Sequence, residues 1–265
     1  MGIVNVTPDS FSDGGLFLDA DAAVEHGRRL AAEGAAILDI GGESTRPGSD
    51  PVPEDEELRR VLPVVERLSG EGARISIDTT KSAVARAALG AGATIVNDVS
   101  ALRFDPALAG VVAESGANCC LMHMLGEPRT MQDHPRYDDV VSDVKAFLEE
   151  RLAFAVGEGV AEERVWLDPG IGFGKTVEHN LELLRRLDEI VAIGRPVAIG
   201  TSRKSFLGKL AGGRDERHRL PGTIATNVLA LERGATIFRV HDVAQNADAL
   251  NVAAATFSLD VGERA

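Results

Sequence analysis

Gly2-Ile3-Val4-Asn5-Val6-Thr7-Pro8-Asp9-Ser10-Phe11-Ser12-Asp13-Gly14-Gly15 opens the chain, and its reading decides the fold class. The first residues form a short aliphatic run of the kind that makes a buried strand. A polar, turn-rich stretch follows, without the glycine fingerprint that a doubly wound dinucleotide fold carries after its first strand. The same alternation of aliphatic run and amphipathic stretch continues to the far end. Strands are expected at 2–6, 36–40, 74–78, 94–98, 119–123, 164–168, 197–200 and 236–240. Helical spacing fills 21–33, 53–68, 82–91, 137–157, 178–193, 223–234 and 243–259. Several of these stretches stop at a glycine before the next strand: Gly34, Gly92, Gly116, Gly159, Gly194 and Gly234. Eight strands alternating with helices imply a parallel sheet. Closed barrels of this kind run to about 250 residues, and this chain has 265. The expectation is an α/β protein folded as a single (β/α)8 TIM barrel, one domain over 1–265, with the active site at the C-terminal ends of the strands. The first strand begins almost at Met1, so the N-terminal strand or plug that often closes the bottom of a barrel is expected to be missing.

Composition narrows the function. Apolar residues make up 44% and aromatic residues only 4%, so the core is aliphatic. The formal charge of −13 argues against nucleic acid, which calls for a basic footprint. It also requires that any anionic substrate be met by a local cluster of cations. Cys119 and Cys120 are adjacent in an apolar run. Neighbours on a strand point to opposite faces and make a poor disulfide, so both are expected buried and reduced in a cytoplasmic protein. No apolar run reaches the roughly 20 residues of a membrane helix, and no signal peptide is read at Met1.

The polar residues fall in a pattern. Nearly every expected strand ends in one: Asn5, Asp39, Asp78, Asn97 with Asp98, His123, Asp168, Thr201 with Ser202, and Arg239 with His241. In a barrel these ends meet at one face, so the ring marks a site. Asp78, Asn97 and Asp168 suit a flat heterocycle with an amino-pyrimidinone edge. Arg46, Arg203, Lys204, Arg239 and His241 are the cations that an anionic substrate would need. Asp39 and Asp98 are expected only to brace loops, and His123 is left outside the set. His26, His134, His179 and His218 are expected to be solvated.

Seven motifs then identify a family. NVTPDSFSDGG (5–15), GGESTRPG (41–48), SIDT (76–79), NDV (97–99), DPGIGFGK (168–175), SRK (202–204) and RVHDV (239–243) together resemble dihydropteroate synthase, from end to end of the chain. The resemblance implies a transferase of folate biosynthesis that joins a hydroxymethyl-dihydropterin diphosphate to para-aminobenzoate, with diphosphate lost before the aryl amine attacks. It implies that Asp78, Asn97, Met122, Asp168, Lys204 and Arg239 bind the pterin. Asn5, Arg46, Arg239 and His241 would hold the diphosphate, with Asn5 and Asp13 engaging Mg2+. Phe11, Thr45, Arg46, Pro47, Phe173 and Ser205 would form the para-aminobenzoate pocket, and Asp78, Lys204, Asp13 and Arg46 would be catalytic. Sulfonamide inhibition and a homodimer are implied with them. Two other readings share a pterin barrel: methyltetrahydrofolate-dependent methyl transfer to a corrinoid protein, and a non-catalytic pterin-binding protein. Neither needs the cations at Arg46, Ser202-Arg203-Lys204 and Arg239-Val240-His241.

Overall fold

A computed structural model describes residues 1–7, 16–45 and 48–257. The chain runs β1 (Gly2–Asn5), α1 (Leu16–Ala32), β2 (Ile37–Gly41), α2 (Glu54–Leu68), β3 (Arg74–Asp78), α3 (Ser82–Gly90), β4 (Ile95–Asp98), α4 (Leu108–Ser115), β5 (Asn118–Met122) and α5 (Val140–Gly157). It continues through β6 (Val165–Asp168), α6 (Val177–Arg185), α7 (Leu187–Val191), β7 (Ala198–Ile199), α8 (Ser205–Leu210), α9 (Leu220–Glu232), β8 (Ile237–Phe238) and α10 (Val243–Phe257). Strands β1 to β6 pair in sequence order, each parallel to the next, and β7 pairs with β8. Parallel bridges from Leu167 to Val197 and from Gly2 to Val240 join the two sheets at both edges. The ring is closed, as the sequence predicts.

Strand alternation sets what faces where. Val4, Leu38, Ile40, Ile75, Ile77, Val96, Cys119, Leu121 and Leu167 point outward into the core beneath the helices. Their neighbours point into the barrel, where Ile95, Cys120, Trp166 and Ala198 form a packed layer with Ile37 and Ile237. Below it the Arg74 guanidinium lies 5.8 Å from the Trp166 ring centre and donates to Asn118 Oδ1 at 2.6 Å. The bottom of the barrel is thus filled by its own strand side chains. Cys119 and Cys120, on opposite sides of β5, are both buried and free.

The helices depart from the sequence reading in three places. The stretch 178–193 is two helices, because Arg186 leaves helical geometry at φ −111° and ψ 31°. Its guanidinium is drawn into ion pairs with Asp139, Glu182 and Glu189. Helix α4 is apolar on most faces and so lacks the stripe that periodicity detects, and α8 spans only 6 residues. The six glycine stops all lie at positive φ, between 65° and 111°.

Candidate active site

The polar strand ends divide by parity. Asn5, Asp39, Asp78, Asn97, Asp168 and Arg239 alternate with the outward core residues and face the lumen. Asp98, His123 and Thr201 each follow an inward position and turn away from it. Asp98 accepts from the backbone N–H of Ser100 at 2.7 Å and of Leu102 at 2.6 Å. It thereby braces a loop in which Ala101 and Leu102 hold left-handed φ values of 54° and 62°. Thr201 bonds to Asn227 at 3.1 Å, and Asn227 to Asn246 at 2.8 Å, tying the end of β7 to α9 and α10.

Inside the lumen one cation bridges two acids. Arg239 donates Nε to Asp39 Oδ2 at 2.6 Å and Nη2 to Asp78 Oδ2 at 2.7 Å. Asn97 Nδ2 reaches the same Asp39 oxygen at 3.2 Å. Asp39 is therefore not the loop brace that the sequence predicts; its inward parity places it among the site residues. Burial pushes the Asp78 carboxyl up to about 7, with Arg239 opposing and Asp39, Glu57 and Asp98 adding to the rise. Gly41 faces this cluster, and a Cβ there would stand 3.4 Å from Asp78 Cβ.

The DPGIGFGK loop forms the next wall. Asp168 Oδ1 accepts from Gly170 N–H at 2.7 Å, and burial raises its pKa while Lys204 opposes. Lys204 Nζ donates to Ile171 O and sits 4.4 Å from the Phe173 ring centre. Burial lowers its pKa to about 8, against the pull of Asp168. A Cβ at Gly172 would come within 2.9 Å of Lys204 Cδ, so this glycine makes the approach possible. Met122 packs with Val99, Met124 and Met131, and Phe173 lies against them. Behind the loop, buried Lys175 bonds to His123 Nδ1 at 2.8 Å and Phe173 O at 3.0 Å. Burial holds this amine well below the usual lysine range. At the rim, Ser202 Oγ bonds His241 Nδ1 at 2.9 Å, and Ser205 is exposed at the start of α8.

Arg203 does not join these cations. It makes a two-point pair with Asp242, at 3.0 and 2.6 Å, which holds its own left-handed φ of 57°. The loop after β2 is anchored from below. Lys81 is clamped between Glu43, at 2.6 Å, and fully buried Glu57. Glu43 also accepts from Val52 N–H at 3.0 Å, and Arg60 donates to Gly42 O at 2.8 Å. Thr45 is half-buried at the end of this anchored segment. Phe11, Asp13, Arg46 and Pro47 lie outside the described residues. A cavity of about 510 Å³ at the opposite end, among Ala31, Ala35, Leu38 and Leu68, carries none of this chemistry.

The family model for "Pterin binding enzyme" matches residues 1–241. Dihydropteroate synthase of Neisseria meningitidis serogroup C is 48% identical over 253 residues, covering 94% of this chain and 89% of that one. The chain belongs to the dihydropteroate synthase family. Dihydropteroate synthase of Xanthomonas albilineans with 4-aminobenzoic acid superposes with a TM-score of 0.92 at 50% identity, over 98% of this chain and 93% of that one. The dihydropteroate synthase of Yersinia pestis in complex with a sulfonamide drug gives 0.92 at 44% identity, over 98% and 94%.

For a dihydropteroate synthase barrel, the Lys81 clamp has a measurable consequence. It carries the loop that bears Thr45, and Glu57 without it is a buried, uncompensated charge. Lys81→Met is expected to raise the KM for para-aminobenzoate about tenfold or more, the effect of losing a charged hydrogen bond worth roughly 1.5–3 kcal/mol. Affinity for a pterin without diphosphate should stay within about twofold. Equal loss at both substrates would show that Lys81 serves the whole barrel and not this loop. Nothing in the motifs singles out Lys81, but its position just after the SIDT strand was a readable signal.

Proposed function

We propose that the protein condenses a hydroxymethyl-dihydropterin diphosphate with para-aminobenzoate, giving dihydropteroate and diphosphate. The observation that carries this reading is the lumen cluster of Asp39, Asp78, Asn97 and Arg239, with Asp168 and Lys204 completing its polar lining. Asp78, Asn97 and Asp168 accept from the amino-pyrimidinone edge, Lys204 donates to the ring, and Met122 lines it. Arg239 is held by its N–H edge, so the flat of its guanidinium is left to stack on the heterocycle. Asn5, Arg46, Arg239 and His241 hold the diphosphate. The carbon–oxygen bond to diphosphate breaks with its electron pair leaving on oxygen. The aryl nitrogen then attacks the cationic methylene, forms the new carbon–nitrogen bond and gives up a proton. Asp78 and Asp168 present negative charge to the cation before it forms, and Asp78, Lys204, Asp13 and Arg46 act as the catalytic groups.

Mg2+ is part of the proposal. Asn5 offers an amide oxygen at the end of β1, and Asp13 a carboxylate, the hard oxygen set that this ion prefers. Such an ion also takes substrate phosphate oxygens; among the described residues no three His, Cys, Asp or Glu side chains converge as a metal cage. When bound, the ion neutralises charge on the leaving diphosphate.

A homodimer is part of the proposal. Leu181 on α6, Leu229 on α9 and Val252 on α10 are exposed, the last by 68%, on neighbouring helices. The exposed residues of α9 and α10 include Ala225, Leu229, Val252 and Phe257, apolar surface that a second copy of the chain covers. A solution mass of one chain would overturn this. Reduced, buried Cys119 and Cys120 support a cytoplasmic setting; no helix among the described residues is long and apolar enough to cross a membrane.

The test of the reaction is direct: purified protein with both substrates and Mg2+ should release diphosphate and form dihydropteroate, and no product would overturn the reading. Phe11, Thr45, Arg46 and Pro47 with Phe173 and Ser205 form the aryl pocket in this reading. A sulfonamide should then inhibit competitively against para-aminobenzoate. Pro47→Ser or Phe11→Leu should weaken the drug more than the substrate, because the drug extends past the volume that para-aminobenzoate fills. Noncompetitive inhibition, or none, would remove these loop residues from the pocket.

A further inference from the structure

The most deeply placed acid of the lumen has no role in the reading above beyond its charge. Asp39 is fully buried. One of its oxygens takes both Arg239 Nε and Asn97 Nδ2. The other, Oδ1, has no hydrogen-bond partner among the described residues, and neither has Ser76 Oγ, on the residue paired with Asp39 across β2 and β3. A buried polar atom left unsatisfied costs about 1–3 kcal/mol, and a buried ion pair is often no more stable than apolar residues of the same volume. Folding therefore gives little reason for a carboxylate here.

Its neighbours supply one. An asparagine amide presents a donor on one side and an acceptor on the other. Asp39 opposite Arg239 acts as an acceptor, so Asn97 must turn its NH2 down to it and its carbonyl oxygen toward the lumen mouth. A guanidinium on a single carboxylate swings about that contact; with Nε on Asp39 and Nη2 on Asp78 its plane is set by two strands, β2 and β3. We propose that Asp39 is a positioning residue for the pterin: it selects the acceptor face of Asn97 and fixes the plane of Arg239 on which the ring stacks. This rests on the pterin reading of the site.

The test is calorimetric titration with hydroxymethyl-pterin lacking diphosphate, which needs no turnover. Binding to the unmodified protein reports on the pterin reading; the variants report on Asp39. Asp39→Asn keeps the shape and loses the charge. It should weaken pterin about tenfold or more while the KM for para-aminobenzoate moves less than about twofold. The exchange variant Asp39→Asn with Asn97→Asp restores a donor–acceptor pair between the two positions, again with an acceptor toward the mouth. It should recover much of the lost affinity. A second readout separates positioning from packing. The charges that act on Asp78 are those of Arg239 beyond β8, Asp39 on β2, Glu57 on α2 and Asp98 on β4, and the Asp39 charge helps to raise its pKa. Asp39→Asn should therefore move the acidic limb of kcat/KM to lower pH relative to the unmodified protein, substrate titration being common to both. Unchanged pterin binding would overturn the proposal. So would loss of both substrates alike without a shifted pH profile, or failure of both variants to fold, since each assigns Asp39 to stability alone.

Discussion

Arg239→Met should cost roughly 3–5 kcal/mol of stability, the range seen when one partner of a buried ion pair is removed, and pterin binding should be lost with it. Methionine matches the length of the arginine stem and leaves two carboxylates, Asp39 and Asp78, without the cation that bridges them at 2.6 and 2.7 Å. The defect should depend on pH, with a sign that follows from Asp78. Its pKa in the folded protein, about 7, already lies above the ordinary aspartate range. A group raised in this way holds its proton in the folded state where the unfolded chain has released it, so its contribution falls as pH rises from the unfolded value toward the folded one. Removing the guanidinium, which lowers this pKa, widens that window upward. Urea unfolding of the variant should show a modest defect near pH 4 and a larger one at pH 8. A defect equal at both would mean that the two acids are not held apart by Arg239.

Excess chelator should reduce turnover by at least about a thousandfold, since charge neutralisation by a metal ion is worth several kcal/mol at a transition state. A pterin without diphosphate should bind within about twofold of its affinity in Mg2+. The division follows from placement: the proposed metal donors, Asn5 and Asp13, belong to the end of β1 and the segment after it, whereas the heterocycle is assigned to Asp78, Asn97 and Asp168 on β3, β4 and β6. Full activity in chelator would remove both residues from a metal role. Loss of pterin binding in chelator would place the ion against the ring.

Much of the barrel was legible because its strands are short aliphatic runs with one polar terminus, and because six helices stop at a glycine. What escaped notice was of two kinds. Arg186 breaks a helix through charges contributed partly from Asp139, 47 residues away, and no local period carries that. Arg203 reads as a substrate cation but is taken by Asp242, an ion pair between two loops that are neighbours only once the barrel closes. Asp39 differs, since its role was within reach. Counting by twos back from Gly41 puts it on the inner face, while the same count puts Asp98 and His123 on the outer one. Polarity at the strand ends locates the ring, and parity sorts it into binding groups and braces.

The layer of Ile95, Cys120, Trp166 and Ala198, with Arg74 beneath it, gives the barrel a dead end. Traffic through such a vessel has one doorway and obeys the rule of a stack, in which the first to arrive is the last to leave. With the seats proposed above, the pterin, being the deeper, would load before the aryl amine, and an occupant of the outer seat would bar its exit. In that reading a drug lodged there would do more than exclude a competitor: it would shut the heterocycle in, and each occupied site would withhold one pterin from the supply.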